Sequence, residues 1–284
     1  MNKKIFILTL LLILVSLACS TSINIPEMDV GETQEVNLNL PIANSSNVSL
    51  IHIRMGGGLL DINPGASGLI DGTITYNVAD WEPKINQQSN SYDLEQEKSW
   101  RLKGIPSDKI VNHWDLRFSE QVPLGINIEA GAYMGSLDLS GMQIQTLNIT
   151  EGASESILSF NQPNSEIIDK LVYKTGASSV KFYGLANANF KTMDFTSGAG
   201  SYVFDFGGEL KQDSTLNIKS AVSSIKIILP EGMKVVIDNE GSVSNVNTEG
   251  TWTIKNNTYS TMGEGFTLTI VINMAVGNID LIQN

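Results

Sequence analysis

Few side chains in this sequence could carry chemistry. Asp138, Asp194 and Asp205 stand on or beside segments that alternate apolar and polar residues. Two such carboxylates on one sheet face could serve as the acid and base of glycan cleavage. The same alternation places an acid on the solvent side of almost any strand, so each also reads as part of a hydrated face. His52 and His113 are the two histidines, and each stands alone. There is no H-x-x-x-H, cysteine pair or EF-hand spacing, so no metal site is expected. Without a G-x-S-x-G elbow or a phosphate loop, no catalytic residue and no cofactor are expected either. Trp81, Trp100, Trp114 and Trp252 could stack on sugars, but they lie outside the regular segments, and packing in a core or cap is the favoured reading.

The chain opens MNKKIFILTLLLILVSLACS. Lys3 and Lys4 precede an apolar run from Ile5 to Ala18, too short for the roughly 20 residues that span a bilayer. A basic start, an apolar middle and a small residue before the cut describe a secretory signal, here residues 1–18. Cys19 follows the expected cut and is the single cysteine, so no intramolecular disulfide can form. The segment LVSLAC resembles the lipobox of bacterial lipoproteins, which implies Cys19 as the lipid attachment point. Two acyl chains would then anchor the protein to a membrane that it does not cross. Removing Lys3 and Lys4 takes the formal charge from −12 to −14. So acidic a chain, with no basic cluster, should repel nucleic acid and anionic membrane faces, so no nucleic-acid partner is expected.

The elements that must position these residues are strands. Residues 19–47 are polar and read as a tether, with one strand at Glu35–Leu40. Beyond them the alternation has period two, with turn residues about every ten positions; Ser91–Trp100 reads as a helical turn. One pattern recurs: apolar-x-apolar-x-x-small-small, then apolar residues four and six positions after the first small one. It places Gly56, Gly176, Gly198, Ala221 and Ala275 at equivalent positions. Looser copies put Gly131 and Gly152 there, with one or two extra residues in the second half.

Successive small residues from Gly131 to Ala221 are 21, 24, 22 and 23 positions apart. A period of this size marks an array, and without leucine-rich or propeller signatures it predicts an all-β fold, a parallel β-solenoid with coils of about 22 residues. Each coil should contain two or three short strands, with the small pair at a corner where glycine adopts positive φ. Coils stack about 4.8 Å apart. Ile128, Ile149, Tyr173, Phe195 and Ile218 should therefore form one internal ladder, Val180, Tyr202 and Ile225 a second, and Phe182, Phe204 and Ile227 a third. Lys181 and Val203 should point outward. The last two copies are 54 residues apart, leaving room for about two looser coils before a terminal one that caps the array. The body divides into an irregular region, 48–122, and a regular solenoid, 123–284.

RMGGGLLDINPGASGLIDGTITYNVADWEPKI, residues 54–85, resembles the N-terminal domain of bacterial toast-rack proteins. The Gly-Ala coils and the closing INMAVGNIDL resemble the LiaF-like and adhesin-type β-solenoids found with it. The resemblance implies a fold more than a function: some relatives are linked to sensing cell-wall-active antibiotics, others to adhesion, and it implies no catalytic residue. The expectation is a lipid-anchored extracytoplasmic protein that binds, adheres or senses through its solenoid surface, with an envelope glycan or protein as ligand. The alternative is a carbohydrate-active β-helix enzyme, a lyase or hydrolase of envelope glycans.

Overall fold

Period-two apolar patterns rich in Ile, Val, Phe and Tyr form strands because branched and aromatic side chains pack well on a pleated surface. The computed structural model describes residues 28–44, 47–96, 109–241 and 243–284. In chain order these form β1 (Gln34–Leu40), β2 (Ser49–Pro64), β3 (Ile70–Tyr76), β4 (Pro83–Gln88), β5 (Ser91–Gln96), β6 (Asn112–Phe118), β7 (Pro123–Asp138) and β8 (Gln143–Ser159). There follow β9 (Ile168–Tyr183), β10 (Phe190–Asp205), β11 (Ser214–Leu229), β12 (Met233–Asn239), β13 (Val243–Glu249), β14 (Thr253–Lys255), β15 (Thr258–Ser260) and β16 (Glu264–Gln283). The strands β2, β7, β8, β9, β10, β11 and β16 stack in that order, each parallel to the next. The fold is all-β, a parallel solenoid.

Each coil is built differently from the sequence expectation. In place of two or three short strands, one strand of about 16 residues bends in the middle. In β9, Tyr173 and Thr175 are buried, Gly176 and Ala177 are both exposed, and Ser178, Val180 and Phe182 are buried again. An extended strand alternates faces, so two successive outward residues mean that the chain has turned and both limbs face one interior. The small pair lies on the outside of that bend. The looser copies contain no extra residues: Gly135, Ser156 and Val180 stand in register, as do Leu137, Leu158 and Phe182. A small or polar side chain replaces the apolar one, and the spacing is unchanged.

The corner glycines also differ from expectation, since Gly56, Gly131, Gly152, Gly176 and Gly198 do not adopt positive φ. Their constraint is contact between coils. A Cβ on Gly152, Gly176 or Gly198 would stand 2.6, 2.5 or 2.6 Å from the carbonyl oxygen of the corner glycine one coil earlier. Ala221 and Ala275 occupy the corresponding place in β11 and β16. Positive φ falls two residues further on, at Gly58, Gly200 and Gly277 (141°, 152° and 154°).

Inside, the three ladders run in register and are buried. Their aromatic members interlock. Tyr173 stacks on Phe195 (ring centroids 5.8 Å apart) and Phe182 on Phe204 (5.0 Å), while Phe195 meets Tyr202 and Phe204 edge-on at 4.8 and 5.1 Å. Such geometries add to the stabilisation already gained from burying the rings.

Both ends of the stack are closed by broken coils. On the outer side of β2, β5 pairs with one limb and β6 with the other; on the outer side of β16, β12 and β13 do the same. Two short strands replace one bent strand at each end. Residues 91–96 are thus a strand, not a helical turn, and 97–100 lie outside the described residues; the strand expected at Glu35–Leu40 is β1, which pairs antiparallel with β3. The C-terminal order also departs from expectation. β16 inserts beside β11, and the earlier residues 233–260 form the cap.

Candidate functional site

Cys19 lies outside the described residues, as does Trp100. The other sequence-derived candidates are dispersed over the solenoid. Asp138 ends β7, where its Oδ1 accepts hydrogen bonds from the Ser140 backbone N–H (3.1 Å), the Ser140 hydroxyl and the Ser159 hydroxyl (3.3 Å). Asp205 ends β10 and accepts from the Gly207 N–H at 2.7 Å. Both are turn-forming carboxylates of the kind that folds back on its own backbone. Asp194 lies on the other limb of β10, so the three acids do not assemble into an acid–base pair.

His113 Nε2 meets Asp61 Oδ2 at 2.8 Å, and Asp61 Oδ1 accepts from the Ser136 N–H at 3.1 Å. His52 is flanked in register by Asp93 and Asn127. Among the described residues no group of three His, Cys, Asp or Glu could hold a metal ion. Trp114 is fully buried and donates to Asn112 Oδ1 at 3.0 Å, whereas Trp252 packs against the core from the C-terminal cap and donates to the Glu249 carbonyl at 2.9 Å. Lys181, Val203 and Lys226 lie in register on the outer face of the second limbs, as alternation requires.

A groove of about 410 Å³ opens on the outer face of the first limbs of β10, β11 and β16. Parallel register sets Asp194 beside Asn217 and Val271, and Thr196 beside Lys219 and Asn273. Glu240, between β12 and β13, lines the groove too, its backbone N–H bonded to the Ile272 carbonyl at 2.8 Å. Asp194 is fully engaged: Lys170 Nζ reaches Oδ2 at 2.6 Å and Asn217 Nδ2 donates to Oδ1 at 2.9 Å. The Lys170 hydrogen bond, then that of Asn217, holds the Asp194 carboxyl below its ordinary range, against a smaller opposing effect of partial burial. A carboxylate so fixed is a poor proton donor at neutral pH. The groove is suited to recognition.

Asp194 is the one groove residue that the sequence marks as a candidate for chemistry. Lys219 and Asn273 each stand two residues before a corner alanine, so the repeat itself places them side by side. Glu240 carries no such signal, because it belongs to the irregular cap segment.

The family model described as the N-terminal domain of toast_rack, DUF2154, matches residues 25–181, across the division drawn between residues 122 and 123. No curated protein matches. Among solved structures, a candidate cell adhesion protein from Clostridium sporogenes ATCC 15579 is 18% identical, covers 89% of this chain and 100% of its own, and has a TM-score of 0.47. A candidate adhesin from Bacteroides fragilis NCTC 9343 is 10% identical over 90% of this chain and 99% of its own, with a TM-score of 0.39. A candidate lipid binding protein from Parabacteroides distasonis ATCC 8503 is 8% identical over 89% and 99%, with a TM-score of 0.37.

Proposed function

The chain belongs to the toast-rack family, and from that premise we propose that it is a non-catalytic binding protein of the cell envelope, held at a membrane by lipid on Cys19 and displaying its solenoid outward. The observation that carries the reading is the fate of the carboxylates. Asp138 and Asp205 shape turns, and Asp194 is ion-paired to Lys170 and hydrogen-bonded by Asn217. What the coils offer instead is stacked outer faces, the surface that repeat proteins commonly use for binding. Anchoring and location are supported by the basic-then-apolar leader ending at Cys19.

The test joins fractionation to binding. Full-length protein expressed in a bacterium should partition with membranes, and Cys19→Ala should release it or stop its processing. The mature protein should bind isolated envelopes saturably without liberating sugar. Release of sugar that is lost in Asp138→Asn, Asp194→Asn or Asp205→Asn, with the fold intact, would replace this reading with an enzymatic one.

A further inference from the structure

We infer that the groove over β10, β11 and β16 takes a neutral saccharide, its hydroxyls held between Glu240 and the amides of Asn217 and Asn273. The inference rests on the reading of the protein as a binding module and gives that module a place and a ligand class. It starts from an inventory of what each side chain still has to offer. Asp194 has spent both oxygens, on Lys170 and Asn217. Asn217 keeps its amide oxygen and one N–H. Thr196, Lys219, Glu240 and Asn273 line the same groove and make no side-chain hydrogen bond or ion pair with any described residue.

The groove therefore presents free donors from Asn217, Asn273, Thr196 and Lys219, and free acceptors from Glu240, the two amides and the Thr196 hydroxyl. A small net charge accompanies this balance, because Lys170 answers Asp194 and the groove's other charges are one cation, Lys219, and one carboxylate, Glu240. Each ligand class meets a different fate. A polyanion would confront Asp194 and Glu240. A simple cation would confront Lys170 and Lys219. An apolar molecule would strip water from charged groups without replacing their hydrogen bonds, which is costly. A sugar hydroxyl both donates and accepts, so neighbouring hydroxyls can pair with a carboxylate and an amide together.

Val271 supplies a small apolar wall for C–H groups. No aromatic ring of the groove is free for stacking, because Phe195 points into the core. Binding by one groove should accordingly be weak. The three strands that it crosses span about 10 Å, enough for more than one sugar ring.

The experiment is a titration of the mature protein with chitotriose and cellotriose, both neutral, and with trigalacturonate, an anionic trimer. Side-chain amide signals are followed by NMR. A neutral trimer should move the Asn217 and Asn273 amide signals, and Glu240→Gln or Asn273→Ala should weaken it about tenfold or more with Tm unchanged. Failure of both neutral trimers to move those signals would overturn the inference, and so would tighter binding of trigalacturonate. A Glu240→Gln/Asn273→Ala double variant that still binds whole envelopes as the parent does would remove this groove as the site while leaving the binding role intact. A parent protein that binds no envelope at all would remove the binding role itself.

Discussion

Glu151 is the least expected residue of the interior. It stands one position before a corner, with Ala130 and Thr175 as its register partners, and is almost wholly buried without a cationic partner among the described residues. Hydroxyls take the place of a cation. Ser154 (2.5 Å) and Ser178 (3.1 Å) donate to its Oε1, and Tyr173 donates to its Oε2 at 3.0 Å. The seam continues along the inside of the bend, through Thr175 with Ser178 and through Ser197, which donates to Ser220 at 2.8 Å. Tyr133 is the exception. Its phenol lies near Glu151, and burial, then the Glu151 charge, pushes its pKa well above the ordinary value, yet its hydroxyl makes no hydrogen bond of normal geometry. Glu151→Ala should cost about 2–3 kcal/mol in urea unfolding, because it strands buried hydroxyls. Tyr173→Phe should cost about 1 kcal/mol and Tyr133→Phe nothing or less, since the latter removes an unsatisfied group. Equal losses for the two tyrosine variants would contradict this account of the seam. Asp194 yields a pH prediction. Its pKa is lowered on folding, so its contribution to stability is present above the ordinary carboxylate value of about 3.9 and fades as pH falls through the lowered one. Lys170→Met should raise the Asp194 pKa in an NMR titration and weaken that dependence. An unmoved pKa would mean that the ion pair is not formed in solution.

At the scale of the element, the bend is what the repeat encodes. The ladders were legible in sequence because Ile, Phe and Tyr alternate with polar residues on both sides of a Gly-Ala pair, and parity then fixes which side chains face inward. The same parity puts Glu151 inside, but an acid beside a corner reads by type as exterior, and its hydroxyl neighbours, Ser154 of β8 and Tyr173 and Ser178 of β9, make burial tolerable. The groove was half legible for a related reason. Repeats align Lys219 with Asn273, whereas Glu240 arrives through a segment with no period. At the corner glycines a sharp turn suggests unusual φ, while the actual demand is close approach of one coil to the next. Substitutions separate the two demands. Gly176→Val should destabilise by about 1–3 kcal/mol, as expected for overpacking, and Gly176→Ala by less, because β11 and β16 accept alanine at that place. Gly200→Ala should cost more than Gly176→Ala, since position 200 combines a φ of 152° with direct collision against the Ser178 carbonyl. Urea midpoints for the three variants check that order, and a Gly176→Ala loss as large as that of Gly200→Ala would argue against it.

For the whole molecule, the ends matter more than the number of coils. A stack of parallel strands leaves a row of unpaired backbone groups at each end, and an open edge of that length invites pairing with another chain. The N-terminal end is closed by β5 and β6, and the C-terminal end by β12 and β13, so the array stops in short, broken strands. The C-terminal cap depends on the last strand made. β12 and β13 both pair with β16, and β16 alone joins them to β11. Nothing in the repeat spacing forecasts this order, because the pattern marks which strands are coils and is silent on which neighbour each one takes. It has a consequence for assembly: the cap cannot seat until residues 264–283 have docked on β11. A chain ending at Ser260 should keep the aromatic core of β9 and β10 but leave all of β11 as an open edge. Hydrogen exchange should then be fast across 233–260 and little altered in β8 and β9, and sedimentation should report self-association that grows with concentration. A shortened chain that stays monomeric with the cap still protected would show that β12 and β13 can close the stack without β16.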